Sequence, residues 1–165
     1  MSPTSPSPAP AAAPTWWRSP ATWGAILVIL HAVGAVGTAL GYAHLLLPLT
    51  PLNLLVCAGV VMAFTGAESP WRWALTMFLG FGIEVMGVAT GWLFGDYSYG
   101  SGLGPKALEV PLLMGVLWWL LLLGTHHWSE RLLSWNGRKV SPVVRAALAA
   151  TMMTALDGAI EPVAI

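Results

Sequence analysis

The sequence predicts an all-α protein, a polytopic bundle of transmembrane helices with about five spans. Hydrophobic residues make up 56% of its 165 residues and charged residues only 8%, whereas about 25% of a soluble domain is charged. Long apolar runs follow one another, and in lipid each must be helical so that every backbone polar group finds an internal partner. The balance of 7 basic and 7 acidic residues gives no indication of nucleic-acid binding.

The chain is divided into a tail and one membrane domain. Residues 1–20, rich in Pro, Ser and Ala, are predicted to be disordered because they cannot bury enough apolar surface to order themselves. Residues 21–165 are predicted to form the transmembrane helical domain. A signal peptide is not predicted, because no basic segment precedes the first apolar run and this run is long enough to span a bilayer.

Five apolar segments are predicted to cross the membrane, at about 23–47, 51–66, 71–94, 107–127 and 142–165. The second is shorter than the roughly 20 residues that a span needs. With five spans, one side of the membrane holds six of the seven basic residues, namely Arg18, Arg72, Arg131, Arg138, Lys139 and Arg145. Basic loops stay in the cytoplasm, so we expect an inner-membrane protein with a cytoplasmic N-terminus.

Carboxylates occur inside these apolar runs. Glu84 lies about ten residues before the outer end of the third span, roughly 15 Å deep. Asp157 and Glu161 are four residues apart and therefore share one face of the fifth span. Glu109 is predicted in the first turn of the fourth span. Four acids at a similar depth favour a functional cluster, and the alternative is that they only join helices by hydrogen bonds.

A charged acid at mid-bilayer costs about 3 kcal/mol unless it pairs with a base or stays protonated. Lys106 is the only base near the outer ends of the spans. At least one of the acids is therefore predicted to be neutral at pH 7, and a neutral acid in an apolar site is a proton donor. The spacing of Asp157 and Glu161 could suit a divalent ion, but the ion would need roughly two or three more oxygen ligands and no Asp-rich motif accompanies the pair, so no metal site is predicted.

The outer loop between the third and fourth spans is the most distinctive stretch. It reads FGDYSYGSGLGPK, with Asp96 near its start, Lys106 at its end and Tyr97 and Tyr99 two residues apart. Its aromatic side chains are candidates to cap a cavity from the water side. An ordinary interfacial turn with belt tyrosines is the alternative. Glycines on the first and third spans favour close helix packing, or a smooth wall for a long flat ligand.

Three stretches resemble the carotenoid-biosynthesis hydratase family, which includes γ-carotene 1′,2′-hydratases and bisanhydrobacterioruberin hydratases. They are EVMGVATG from Glu84, FGDYSYGSGLGPKALEVP from Phe94 and DGAIEPVA from Asp157. With the spans between them they cover roughly residues 50–165, and the middle stretch is the most specific. Members of the family continue past the last stretch with further spans. A C-terminally truncated chain and a short member are therefore the alternatives for a sequence that stops at Ile165.

The resemblance implies a membrane hydro-lyase that adds water to the terminal double bond of an acyclic (ψ) carotenoid end group and forms a tertiary alcohol. This chemistry needs no cofactor, only an acid, a base and a wall that tolerates a cation. Either Glu84 or Asp157 is the hypothetical proton donor, with Glu161 as its partner or as the base that orients water. The residues expected to organise the mouth are Glu109, Asp96 and Lys106, and those expected to contact substrate are Trp92, Tyr97 and Tyr99.

The expected partners are the carotenoid, water, the lipid bilayer and other enzymes of the carotenoid pathway. Two other functions fit the same residues. One is a small proton-coupled transporter whose buried acids bind the coupling ion, and the other is a non-catalytic carotenoid-binding membrane protein.

Overall fold

The computed structural model describes residues 18–65, 70–93, 95–135 and 140–160, and only the backbone over 157–160. The predicted tail lies outside these residues except for its last three. Pro20 begins the first helix directly after Ser19, in a position where its missing amide costs nothing because the first helical amides have no intrahelical partner.

The first two predicted spans form one helical hairpin. Its parts are α1 (Pro20–Gly37), a π-helical segment (Thr38–Tyr42), α2 (Ala43–Leu46), a 3₁₀ turn (Leu47–Leu49) and α3 (Thr50–Thr65). Asn53 donates a hydrogen bond to Nε2 of His31 at 3.4 Å, although 22 residues would separate the two by about 33 Å along a straight helix. The chain therefore reverses between them. Gly41, at φ +92°, provides the backbone conformation for this reversal.

The second half of the chain consists of three helices and a small hairpin. Helix α4 spans Pro70–Thr90, β1 (Lys106–Ala107) pairs antiparallel with β2 (Val110–Pro111), and two further helices follow, α5 (Leu113–Ser134) and α6 (Pro142–Ile160). Helix α5 is central, because it packs against α3, α4 and α6. Its most deeply buried large side chain is Trp119, whose ring packs at a tilt against Trp73 of α4, with 5.4 Å between ring centroids.

The end of α4 and the start of α5 differ from the limits predicted for the spans. The third span was expected to continue to residue 94, but α4 ends at Thr90 because Gly91 takes up a left-handed conformation (φ +62°) that ends the helix. The fourth span was expected to begin at residue 107 with Glu109 in its first turn. Leu108 and Glu109 instead form the two-residue turn between β1 and β2, each with positive φ, and α5 begins only at Leu113.

Helix α6 is attached to α5 by an ion pair at the end of the bundle opposite the outer loop. Arg145 donates to the Glu130 carboxylate, and Nε2 of His126 lies 3.6 Å from the same carboxylate oxygen. The hydrogen bond from Arg145 lowers the pKa of Glu130 below its usual value, and the nearby histidines act in the same direction. Charges that lie apart in the sequence thus meet at one end of the bundle.

Two helical stretches, Pro20–Thr65 and Pro70–Thr90, are long and apolar enough to cross a membrane. Only 11% and 17% of the residues in their most apolar windows are buried inside the protein. Large apolar side chains such as Leu40 and Phe78 are instead 69% and 73% exposed. Water would disfavour so large an apolar surface, whereas lipid covers it at no cost. The described helices are therefore those of an all-α membrane protein, and the count of five spans stays a prediction.

Candidate active site

The most deeply buried acid in the described part of the chain is Glu84 of α4, which is 4% exposed. It lies six residues before Thr90, where the helix ends, and therefore about 9 Å from that end. This is closer to the helix end than the roughly 15 Å that the sequence predicted, because Gly91 ends α4 early. The carboxyl group thus comes within reach of side chains from the loop that follows the helix.

Three neutral groups donate hydrogen bonds to this carboxylate. The Tyr97 and Tyr99 hydroxyls donate to Oε2 at 2.7 and 2.6 Å, and the Trp118 indole Nε1 donates to Oε1 at 2.8 Å. An ionised carboxylate only accepts hydrogen bonds, so three donors match that state. Pairing with a base and protonation were the two ways in which a buried acid was expected to be stabilised. The structure adds hydrogen bonds from neutral donors as a third way.

The loop after α4 brings both tyrosines to Glu84. Its path begins at Gly91, whose left-handed φ of +62° favours glycine and where a Cβ would lie against the Asp96 carboxylate. The tyrosine rings pack edge to face with centroids 5.5 Å apart, so their hydroxyls converge on one oxygen. Nζ of Lys106, on β1, donates to the backbone carbonyl of Tyr99 and so ties the loop to the hairpin.

Trp118 is a site residue that the sequence analysis missed. It enters from α5 because Gly80 leaves space on α4. A Cβ at position 80 would lie 2.5 Å from Cβ and 2.8 Å from Cγ of Trp118. Gly80 and Glu84 are four residues apart and share a helix face. A small residue one turn before a buried acid is the signal that could have predicted a large partner on a neighbouring helix.

The electrostatic effect of this packing is clear for Tyr99. Burial raises the pKa of its phenol far above the ordinary value of 10.0, and the adjacent Glu84 carboxylate adds to the rise. A negative phenolate beside a negative carboxylate is unfavourable in a poorly solvated site. Tyr99 is therefore a neutral hydrogen-bond donor to the carboxylate.

Other predicted site residues lie at the surface. Trp92 is 83% exposed, directly after the end of α4. Asp96 is also exposed, and its carboxylate packs against Gly91. Glu109 is exposed at the tip of the hairpin. The structure therefore brings Glu84, Tyr97 and Tyr99 together, and none of these three surface residues donates to or accepts from Glu84 among the described contacts.

The two acids of the last predicted span are only partly covered. Asp157 lies in the helical backbone of α6, but its side chain is outside the described part, and Glu161 lies outside it altogether. Among the side chains that the structure does describe, no three His, Cys, Asp or Glu residues gather closely enough to hold a metal ion.

The residues of this site lie within the part of the chain that resembles known proteins. The family model described as "Carotenoid biosynthesis protein" matches residues 45–165, which is most of the chain and contains Glu84, the tyrosine loop and Trp118. The chain belongs to this carotenoid biosynthesis family. The resemblance inferred from the three sequence stretches is thereby confirmed.

Within the family, a curated relative is the bisanhydrobacterioruberin hydratase of Haloarcula japonica. It is 34% identical over 93 residues, which cover 56% of this chain and 31% of the relative. The chain thus matches less than a third of the length of that hydratase. No solved structure matches this chain.

Proposed function

We propose that this carotenoid biosynthesis protein is a hydratase that adds water to the terminal C=C bond of an acyclic (ψ) carotenoid end group and forms a tertiary alcohol. The observation that carries the proposal is the Glu84 carboxylate, buried among apolar helices and held by three neutral donors. The relative from Haloarcula japonica, which is named a hydratase, supports the reaction type.

The reaction needs a proton donor and a proton acceptor. An acid protonates the less substituted alkene carbon, which leaves a tertiary cation, and a water oxygen then bonds to that cation and loses a proton to a base. The product contains all atoms of alkene and water, and no electrons are exchanged with another molecule. A redox cofactor therefore has no part in the proposed reaction.

We assign Glu84 as the base of this reaction. Its three donors stabilise the ionised form that accepts a proton, and its negative charge favours a cation formed nearby. Asp157, with Glu161 as its partner, is the proposed proton donor, since both lie in a sequence stretch that resembles the hydratase family. A proton passed from Glu84 back to the donor completes the cycle.

The remaining predicted residues are proposed to shape the entrance. Lys106 fixes the tyrosine loop through the Tyr99 carbonyl, whereas Asp96 and Glu109 lie on the exposed side of the loop and the hairpin. Trp92, largely exposed after α4, is proposed to contact the apolar substrate as it arrives from lipid. We further propose that the protein lies in the inner membrane with its N-terminus in the cytoplasm.

Expression of the chain in cells that accumulate an acyclic carotenoid such as lycopene tests this proposal. The extracted pigments are analysed by mass spectrometry and compared with those from cells that carry an empty vector. We expect a new pigment heavier by one water. Equal pigment profiles in the two cell lines, with the protein present in the membrane fraction, would contradict the proposal.

A further inference from the structure

We propose that Oε1 of Glu84, and not Oε2, is the oxygen that accepts the proton from water, and that Trp118 forms the wall against which the tertiary cation develops. This inference rests on the proposed hydratase function. It assigns to single atoms, and to a residue of α5, roles that family membership does not specify.

The two oxygens of Glu84 differ in their hydrogen bonds. Each oxygen of an ionised carboxylate accepts about two hydrogen bonds. Oε2 accepts from both tyrosine hydroxyls, at 2.7 and 2.6 Å, so its acceptor positions are filled. Oε1 accepts from Trp118 at 2.8 Å, and no second donor to it occurs among the described side chains. A proton can therefore be accepted at Oε1 without breaking a bond to either tyrosine.

The tyrosine pair also fixes how Glu84 is turned. Two hydroxyls that hold Oε2 from the loop prevent rotation of the carboxyl group, so Oε1 faces α5 and its Trp118. The edge-to-face packing of the two rings stabilises this arrangement. The loop thus orients the acid, and α5 provides the surface beside its reactive oxygen.

Trp118 suits a role next to a cation. Its N–H lies in the plane of the indole, so a bond from Nε1 to Oε1 places the carboxylate at the ring edge and leaves both ring faces at right angles to that bond. The side chain is only half-buried, so part of its surface is available to a ligand. An aromatic face attracts a cation, most strongly where water is excluded.

Close packing fixes the position of this indole. Trp118 lies against Gly80, where a Cβ would be 2.5 Å from its own Cβ, so α4 and α5 touch at this point. The ring is therefore held between a helix backbone on one side and the Glu84 oxygen at its edge. A cation formed over its face would lie near both the π electrons and the negative charge.

Two substitutions at one position separate the two roles of Trp118. In W118F the ring face remains and the N–H is lost, whereas W118L loses both. We expect W118F to lower the hydration rate roughly 10-fold, because Oε1 loses the bond that holds it beside the ring. W118L should lower it a further roughly 10-fold through loss of the cation–π attraction.

Trp119 provides a matched control on the same helix. It is 1% exposed, and its Nε1 has no hydrogen-bond partner in the described part of the chain. W119F thus removes an indole N–H from the neighbouring position without removing a hydrogen bond, and we expect its hydration rate to stay close to that of the wild type. All rates are compared per amount of folded protein in the membrane.

A spectroscopic measurement tests the contact without relying on activity. In protein labelled with ¹⁵N-tryptophan, the Trp118 indole resonance is identified by its loss in W118F. We expect E84Q to shift this resonance and to leave the Trp119 resonance in place, because of these two indoles it is that of Trp118 that donates to Glu84.

The outcomes distinguish the two proposals. If the wild-type chain forms no hydrated pigment, the proposed function fails and this inference fails with it. If the wild type forms the pigment but W118F and W118L are as active as W119F, only this inference is overturned. Equal rates for W118F and W118L would overturn the role of the ring face, and an unshifted Trp118 resonance in E84Q would overturn the contact.

Discussion

Single side chains determine how the buried acid is stabilised. Glu84 has three donors with N–H or O–H groups and, among the described contacts, no basic partner. Its position was predictable, because a carboxylate inside an apolar run is rarely without a role. Its partners were harder to predict. Tyr97 and Tyr99 were identified as a pair over a cavity, but nothing in the sequence indicated that both would bind one oxygen.

Removal of either tyrosine hydroxyl should slow hydration. Y97F and Y99F each remove one of the two hydrogen bonds to Oε2. Both bonds hold the carboxyl group in position, so we expect its misplacement to lower the rate about tenfold or more in each variant. The measurement is the rate of formation of the hydrated carotenoid in isolated membranes.

Tyr42 provides the control for this pair. It is the one other tyrosine in the sequence, and it is 55% exposed at the reversal of the first hairpin. Y42F should leave the rate unchanged. Equal rates for all three variants would show that the two hydrogen bonds have no part in the reaction.

At the scale of the elements, glycines decide where helices end and how closely they approach. Gly91 ends α4 and so places the tyrosine loop next to Glu84, and Gly80 admits Trp118. Close packing was predicted from glycines on the first and third spans. Gly80 of the third span confirms it, whereas a Cβ at Gly34 or Gly41 of the first span would meet nothing within 4 Å. The early end of α4 was not predicted, because residues 91–94 are as apolar as those before them and only a left-handed φ at Gly91 ends the helix.

The contact between α4 and α5 should be sensitive to a single methyl group. A Cβ at Gly80 would lie 2.5 Å from Trp118, so G80A must displace the indole or separate the helices. We expect it to destabilise the protein by about 1–3 kcal/mol and to slow hydration. The measurement is thermal unfolding in detergent.

Gly82, two residues further along the same helix, is the control. A Cβ at position 82 would meet nothing within 4 Å, so G82A should be neutral or slightly stabilising through the higher helix propensity of alanine. The packing account is contradicted if both alanine variants unfold at the same temperature.

The attachment of α6 to α5 should depend on pH. Arg145 lowers the pKa of Glu130 in the folded state, so folding is favoured by this carboxylate above its unfolded pKa. That contribution is lost as the pH falls through the lowered folded value, which leaves His126 and Arg145 without a negative partner. After correction for the intrinsic exchange rate at each pH, the protection of α6 amides against hydrogen exchange should therefore be lower at about pH 3 than at about pH 7.

The variant E130Q tests whether Glu130 causes this pH dependence. It has no ionisable group at position 130, so its α6 amides should be less protected than those of the wild type at neutral pH, and their protection should change less on acidification. An identical pH dependence in E130Q and the wild type would exclude the ion pair as the cause.

At the scale of the whole molecule, the Arg145–Glu130 ion pair and the site lie at opposite ends of the bundle. Arg145 and Glu130 meet at one end, whereas Glu84 and the tyrosine loop lie at the other. The sequence predicted this separation from the count of basic residues on each side. The reversal at Gly41 divides the stretch Pro20–Thr65 into the two helical parts of a hairpin. This division agrees with the prediction of a separate, short second span. The shared helix face of Asp157 and Glu161 stays a prediction, since both side chains lie outside the described part.

Cysteine labelling tests the orientation that we propose. In a C57A background, which removes the only native thiol, single cysteines are placed at the exposed positions Ser101 and Ser134. A membrane-impermeant maleimide should label S101C in intact spheroplasts and S134C only after permeabilisation. The reverse pattern would place the tyrosine loop in the cytoplasm and contradict the orientation.

The central claim is that the buried Glu84 carboxylate is the base that accepts the proton during hydration. One substitution tests this claim most directly. E84Q keeps the size of the side chain and removes its charge, so it cannot accept a proton. Pigments are measured by mass spectrometry in cells that express the wild type, E84Q or, as a matched acid-to-amide control at the far end of the bundle, E130Q. We predict a pigment heavier by one water from the wild type and from E130Q, and a loss of roughly 100-fold or more in E84Q. Hydration by E84Q at the level of E130Q would contradict the claim.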